Sequence, residues 1–406
     1  MTDDAVWTAA SRAPKFTLDP RLALMRSLLR RIGAGHLHMA LPSGAVLHSA
    51  DYPGPEASVQ IHRLRALRRL LLGGDIGFAE SFVDGDWSSP DLVALLRFGA
   101  ANRGLVDTGL AGSPLARLFN RLAHGWNANS RRGSRRNIMR HYDLGNEFFA
   151  LWLDPSMLYS SALWLDEAMS LEEAQQAKLD RITQLLGLTG GEDVLEIGCG
   201  WGALAQRLAE AGAHVVGLTL SPAQLAFARA RIADSGQAEK VDLRLQDYRD
   251  VDGAFDRIVS IEMIEAVGEA FWPAYFGQIA RRLKPGGRAL IQAIVIDDQR
   301  FETYRARPDF IQRHIFPGGF LPCDAAVRAQ AQGAGLRVAS VERFGLSYAE
   351  TLREWRRRFE ARWPEIEALG FDEKFRRLWT YYLCYCEAGF REGATDVRFY
   401  LLESPQ

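Results

Sequence analysis

The chain has no uninterrupted apolar stretch of the roughly 18 residues that a helix needs to cross a bilayer. Its opening, Met1-Thr-Asp-Asp-Ala, is acidic and lacks an apolar leader core, so no secretory signal is expected. Cysteine is scarce, with four in 406 residues (Cys199, Cys323, Cys384 and Cys386). That excludes a disulfide scaffold. Cys384 and Cys386 flank Tyr385 in an aromatic segment and read as core thiols rather than metal ligands, so no metal site is expected. A reduced, cytoplasmic setting follows as an expectation. An excess of one charge is also missing, because 49 basic and 50 acidic residues leave a net charge of -1.

What is present is enough for two domains, with 48% apolar residues to fill their cores. The charge is unevenly spread. Seven arginines and no acid lie between Arg117 and Arg140, a pattern that suits phosphates of nucleic acid or anionic lipid, or else a solvated linker. A second basic cluster (Arg353, Arg356, Arg357, Arg358 and Arg362) is interleaved with Glu350, Glu354 and Glu360, as on a salt-laced helix. Residues 1–125 read as a small α+β module, with a strand over His36–Leu41, a turn at Pro42–Gly44 and a strand over Ala45–His48. A basic linker is expected over 126–140 and a catalytic domain over 141–406.

The catalytic domain announces itself at Val194-Leu-Glu-Ile-Gly-Cys-Gly-Trp-Gly202. An apolar run ends in an acid, and three glycines follow at alternate positions, as in a strand that turns sharply into a helix and leaves bare backbone for a ligand. A helix is expected over Ala203–Ala211 and a strand over His214–Leu220. A further helix opens at Ser221, with Ser as N-cap and Pro222 at its first position. Strands are expected over Asp256–Ile261 and Arg288–Ile294, the second preceded by a turn at Leu283–Gly287. This alternation predicts an α/β fold with a parallel, doubly wound sheet whose ligands sit at the carboxyl ends of the strands. The Glu196-x-Gly198-x-Gly200 pattern resembles the first motif of Rossmann-like class I S-adenosylmethionine-dependent methyltransferases.

Five further blocks occur in order: His141-Tyr-Asp-Leu-Gly-Asn146, Tyr159-Ser-Ser-Ala-Leu-Trp164, Glu173-Ala-Gln-Gln-Ala-Lys178, Gln246-Asp-Tyr-Arg-Asp250 and Ile315-Phe-Pro-Gly-Gly319. Together they resemble the cyclopropane-fatty-acyl-phospholipid synthase and mycolic acid cyclopropane synthase family over residues 138–402. The resemblance implies S-adenosylmethionine as cofactor. Tyr159 and Ser160 would contact its amino acid end, with Glu196, Gly198 and Gly200 under the methionine moiety. Thr219, Leu220 and Gln224 would lie around the ribose, Gln246 and Asp247 near the adenine, and Ile261 at the strand end toward which the methyl points. It also implies an active-site bicarbonate held by Glu265, Tyr348 and Ile294, to which Ser161 and Gln292 can still donate hydrogen bonds.

Glu265 is the first candidate for catalysis on chemical grounds as well. A methyl delivered to a carbon–carbon double bond leaves a cation, which needs a carboxylate nearby and a base to take a proton. Glu262, three residues earlier, is its rival. Ser161 and Gln292 stand where the family usually carries cysteine and histidine, and Ala266 follows Glu265 in place of histidine. Glutamine cannot be charged as histidine can, which leaves the bicarbonate site open to being retained, weakened or reassigned. Cyclopropanation and methyl or methylene formation are equally open. The expected partners are a phospholipid with an unsaturated acyl chain and the inner membrane surface, with self-association through the N-terminal module and no nucleic acid. Phe301–Phe320 is apolar enough either for an acyl-chain lid or for ordinary core. The rival readings are a methyltransferase acting on RNA or a small molecule, and a non-catalytic lipid carrier.

Overall fold

The computed structural model describes residues 25–27, 29–103 and 144–405. The arginine-rich Arg117–Arg140 segment and His141 lie outside the described residues. The chain divides into two compact units, one comprising residues 1–116 with 373–388 and the other 117–372 with 389–406.

In the first unit, strands β1 (His36–Ala40), β2 (Val46–His48), β3 (Glu56–Ile61) and β4 (Trp87–Ser88) form a sheet in the order β2-β1-β3-β4. Alternation sends Leu37, Met39, Leu47, Ala57, Val59 and Ile61 inward. The helix Arg65–Val83 is kinked at Gly74, whose φ of 63° a side chain would resist. Trp87 is fully buried between Phe78 and Phe82, and its indole N–H donates to the Phe78 carbonyl at 3.0 Å. Asp86, also buried, pairs with Arg65 at 2.5 Å. Residues 373–388 of a late helix join this unit, with Lys374 paired to Asp84 at 2.9 Å and Tyr381 against Phe82. This segment falls within the 141–406 range expected for the catalytic domain, and a local sequence pattern carries no trace of such a long-range return.

The second unit holds strands β5 (Asp193–Ile197), β6 (His214–Thr219), β7 (Val241–Leu245), β8 (Phe255–Ile261), β9 (Leu283–Ile296), β10 (Arg337–Arg343) and β11 (Thr395–Glu403), in the order β10-β11-β9-β8-β5-β6-β7. This is the class I methyltransferase arrangement. Two details differ from expectation. The sheet is not wholly parallel, since β11 runs antiparallel to both β9 and β10. The turn expected at Leu283–Gly287 lies inside β9, where pairing with β8 shifts from Phe255↔Leu283 to Arg257↔Arg288 around Gly286 at φ 70°. Side chains alternate into two cores: Leu195, Ile197, Ile258 and Ile291 face one, and Val194, Val259 and Leu290 the other. Each fully buried aliphatic side chain contributes about 1.5–3 kcal/mol, so the sheet is pinned from both faces. Among the described residues no helix is long and apolar enough to cross a membrane.

Candidate active site

The glycine turn follows β5. Gly198, Gly200 and Gly202 have φ of 88°, 51° and 86°. A side chain at Gly200 would meet nothing within 4 Å, so the backbone there is bare. At Gly202 it would strike Ala228 of the next helix at 2.9 Å, so glycine lets the two helices close up. Glu196, at 3% exposure, is pushed up to about 8 by burial alone, and its Oε2 has no hydrogen-bond partner. A buried carboxyl oxygen beside bare backbone fits the ammonium end of a methionine moiety, whose charge would satisfy it.

The residues expected around the nucleoside part of the cofactor are tied to one another at the adjoining strand ends. Thr219 ends β6, its hydroxyl donates to the Gln224 side-chain oxygen at 3.0 Å, and it accepts the Ser221 N–H at 3.2 Å. Ser221 caps the helix Pro222–Asp234. Leu220 follows directly, and Gln246, just past the end of β7, donates its N–H to the Thr219 carbonyl at 3.1 Å. Asp247 lies beside it and is engaged by Arg249 in two bonds of 2.8 and 2.6 Å. Tyr159 packs against Phe149, Trp152 and Trp355. The buried Ser160 hydroxyl accepts from Lys178 at 2.7 Å. Lys178 is fully buried, and desolvation pulls it down to about 8, opposed by the charges of Glu262 and Asp154. It stands on the helix Leu171–Leu186, which a Ser170/Glu173 capping box anchors. Sequence reasoning gave Lys178 no role, although it sits in one of the quoted blocks.

The catalytic candidates converge where β8 ends, just past Ile261. Here the structure redistributes the expected contacts. Glu262, not Glu265, accepts from Tyr348 (2.7 Å to Oε2), from the Ser161 N–H (2.9 Å to Oε1) and from the Gln292 amide (2.7 Å to Oε1). Glu265 accepts the Ile294 N–H at 2.5 Å, and its Oε2 is buried without a partner. The Ser161 hydroxyl itself turns away to donate to the Ala162 carbonyl. The anion cradle expected for bicarbonate is therefore filled by a side chain of the chain itself, and the residues present do not fit the ion. Burial raises both acids. In Glu262 this is opposed by Tyr348, Ser161, Lys178 and Gln292, whereas in Glu265 the charge of Glu262 adds to it and takes the carboxyl to about 8. Burial and the neighbouring charge thus disfavour the ionised form more in Glu265 than in Glu262, whose hydrogen bonds favour its carboxylate.

The Phe301–Phe320 segment packs as core over part of its length: Phe301 and Phe320 lie against Trp272, with Tyr304 against Phe320. The Phe320 N–H donates to the Glu265 carbonyl at 2.8 Å, tying this aromatic wall to the site. The second basic cluster carries the ion pairs its spacing suggests, among them Arg353–Glu350 and Arg357–Glu354, both at 2.7 Å.

Residues 129–400 match the family described as mycolic acid cyclopropane synthetase. The chain is 42% identical to the tuberculostearic acid methyltransferase of Mycobacterium tuberculosis, over 97% of this chain and 94% of that one. It is 38% identical to the cyclopropane-fatty-acyl-phospholipid synthase of Escherichia coli, over 85% and 86% of the two chains. Among solved structures it is similar to the mycolic acid cyclopropane synthase CmaA1 complexed with SAH and CTAB, at a TM-score of 0.63 and 34% identity over 66% of this chain and 98% of that one. The cyclopropane synthase MmaA2 from Mycobacterium tuberculosis matches at a TM-score of 0.63 and 32% identity, over 66% and 98%.

Proposed function

The chain belongs to the mycolic acid cyclopropane synthetase family and is an S-adenosylmethionine-dependent methyltransferase of lipid acyl chains, and from that premise we propose that it adds a one-carbon unit to the cis double bond of an unsaturated acyl chain on a membrane phospholipid. The observation that carries this reading is the pair of enclosed carboxyl groups, Glu262 and Glu265, at the end of β8 beside the cofactor turn. A carboxylate enclosed there can stabilise a cation developing on carbon, and a neighbouring base can take its proton.

When bound, S-adenosylmethionine supplies an electrophilic methyl. Glu196 would hold its ammonium, with Thr219, Gln224 and Gln246 along its nucleoside part. Attack of the alkene π electrons on that methyl, with the sulfonium as leaving group, would leave the neighbouring alkene carbon cationic. The charge of Glu262 stabilises that cation in a site with little water to compete. Loss of one proton then gives a cyclopropane or, after a hydride shift, a methylene-bearing chain. Both products gain CH2, so mass alone does not separate them. The names of the relatives support both outcomes, one being a methyltransferase and the other a cyclopropane synthase. The substrate lies in a bilayer, and the arginine-rich segment Arg117–Arg140 would bring the chain to the anionic cytoplasmic surface, each basic group contributing about 1 kcal/mol.

The test is incubation with methyl-labelled S-adenosylmethionine and vesicles of oleoyl phosphatidylglycerol, with NMR of the extracted chains to tell ring from methylene. Label in the acyl chain is expected. Intact cofactor binding without label in lipid would reject the reading.

A further inference from the structure

We propose that Glu262 is the base of the reaction, a carboxylate built into the chain that replaces the bicarbonate expected from the family resemblance. This rests on the acyl-chain reading above and assigns its proton-transfer step. Both oxygens of Glu262 are engaged, by donors from three separate elements: the Ser161 main chain, Gln292 on β9 and Tyr348 on the helix Gly345–Ala361. A carboxylate and a bicarbonate ion share the planar pair of oxygens that such donors recognise. The same donors cannot hold both.

The backbone shows that this placement is built rather than incidental. Glu262 has φ 50°, the left-handed region that costs a side-chain-bearing residue stability; Met157 is the other non-glycine residue with positive φ among those described. The strained peptide is clamped, since its N–H donates to the Gln292 carbonyl at 2.8 Å. Gln292 thus grips residue 262 through its main chain and its side chain. Here the glutamine that stands in place of histidine acquires a reason: a neutral amide donates to a fixed carboxylate without adding a second titrating group. Three side-chain and main-chain donors on Glu262 favour its carboxylate form, whereas the Oε2 of Glu265 has no donor. In the step itself a C–H bond of the cationic chain breaks, its electron pair closes the ring or forms the alkene, and the proton goes to a Glu262 oxygen and then to water.

The experiment measures lipid labelling in carbon-dioxide-free buffer with and without added bicarbonate, and the 13C NMR signal of labelled bicarbonate mixed with the S-adenosylhomocysteine complex. Wild-type turnover is expected to be independent of bicarbonate, with no bound signal. Glu262→Gln should lower turnover at least 100-fold with cofactor affinity unchanged. Glu262→Gly should bind bicarbonate or formate and regain part of its turnover when either is added. Stimulation of the wild type by bicarbonate, a bound signal in the wild type, or unimpaired Glu262→Gln would overturn the proposal. A wild type that labels no lipid at all rejects the acyl-chain reading instead, and the NMR arm still decides what occupies the cradle.

An independent observation lies in the first unit. We infer that His36, His38 and His48 form a binding site for a divalent transition metal of the zinc class. His36 and His38 are two apart on β1, so they share a face, opposite the buried Leu37 and Met39. His48 on β2 is the direct cross-strand partner of His38. Ligand atoms of all three lie within 4.8 Å of one another. Two histidines in an x-His-x-His pattern and one from the adjacent antiparallel strand supply three nitrogens from one rigid surface. Small rotations of the imidazoles would bring them to the spacing of about 3.4 Å that tetrahedral zinc–nitrogen bonds of about 2.0–2.1 Å imply. His36 Nδ1 is buried with no hydrogen-bond partner. A fourth ligand is at hand, since Glu56, cross-strand to His36, has its carboxylate 3.7 Å from His38 Nε2. Imidazole nitrogens with a carboxylate suit zinc better than calcium or magnesium.

The untagged full chain is titrated with Co2+, read by its visible absorption, and with Zn2+, read by calorimetry. One equivalent is expected, with the intense bands of four-coordinate cobalt. His48→Gln should weaken binding at least tenfold, while His62→Gln, outside the cluster, should leave it unchanged. Circular dichroism checks that each variant is folded. Absence of stoichiometric binding, or equal binding by folded His48→Gln, would overturn the site.

Discussion

Cofactor binding should expel a proton, and Glu196 should be its source. With 3% exposure and no partner for Oε2, Glu196 in the free protein resists ionisation. Moving a carboxyl from 4.5 to about 8 corresponds to about 5 kcal/mol against the charged form. At pH 7 such a group is protonated in about nine molecules of ten. A methionine ammonium beside it reverses the preference, because the charged form then has a partner. Since the value in the complex is lower, the proton is released over the interval between the bound and free values. Calorimetry of S-adenosylhomocysteine binding at pH 7, in buffers of different ionisation enthalpy, should report about 0.9 protons released. The release should fade as pH rises past 9, where the free protein is already ionised. Glu196→Gln should abolish the release and weaken binding about tenfold or more, the range of a charge-assisted hydrogen bond. A binding enthalpy that does not depend on the buffer, or an unchanged slope in Glu196→Gln, would refute the reasoning.

Other consequences can be measured separately. Tyr348→Phe removes a 2.7 Å bond to Glu262 and should lower turnover by about 10- to 150-fold, at about 1.5–3 kcal/mol for a bond to a charged group, with cofactor affinity preserved; equal weakening of cofactor binding would point to a packing role. Trp355→Ala empties a fully buried site among Trp152, Tyr159 and Tyr348 and should cost about 3–5 kcal/mol in urea unfolding. Binding to anionic vesicles should fall as salt rises, and neutralising arginines between Arg117 and Arg140 should flatten that dependence; salt-independent binding would assign the segment to an inert linker.

Legibility followed the range of the interaction. The cofactor turn is local: Glu196, Gly198, Gly200 and Gly202 lie within seven positions, and strand, turn and helix are written in that span. Thr219, Ser221 and Gln224 are local in the same way, joined by bonds between residues a few positions apart. The choice between Glu262 and Glu265 was not legible. Its deciding partners, Gln292, Tyr348 and Ser161, lie 30, 86 and 101 positions away. The histidine cluster was half legible, since His36-Leu-His38 is a visible motif while its third member depends on a strand register. The antiparallel β11 and the return of 373–388 to the first unit left no local signal either.

By itself the sequence determined the class of fold and the kind of cofactor, because glycine placement, capping residues and the period of apolar side chains act on neighbours along the chain. Only the tertiary structure decided which carboxylate the donors hold. That outcome depends on three donors brought together from distant elements and on a strained φ at Glu262, which the surrounding sheet and helix hold in place.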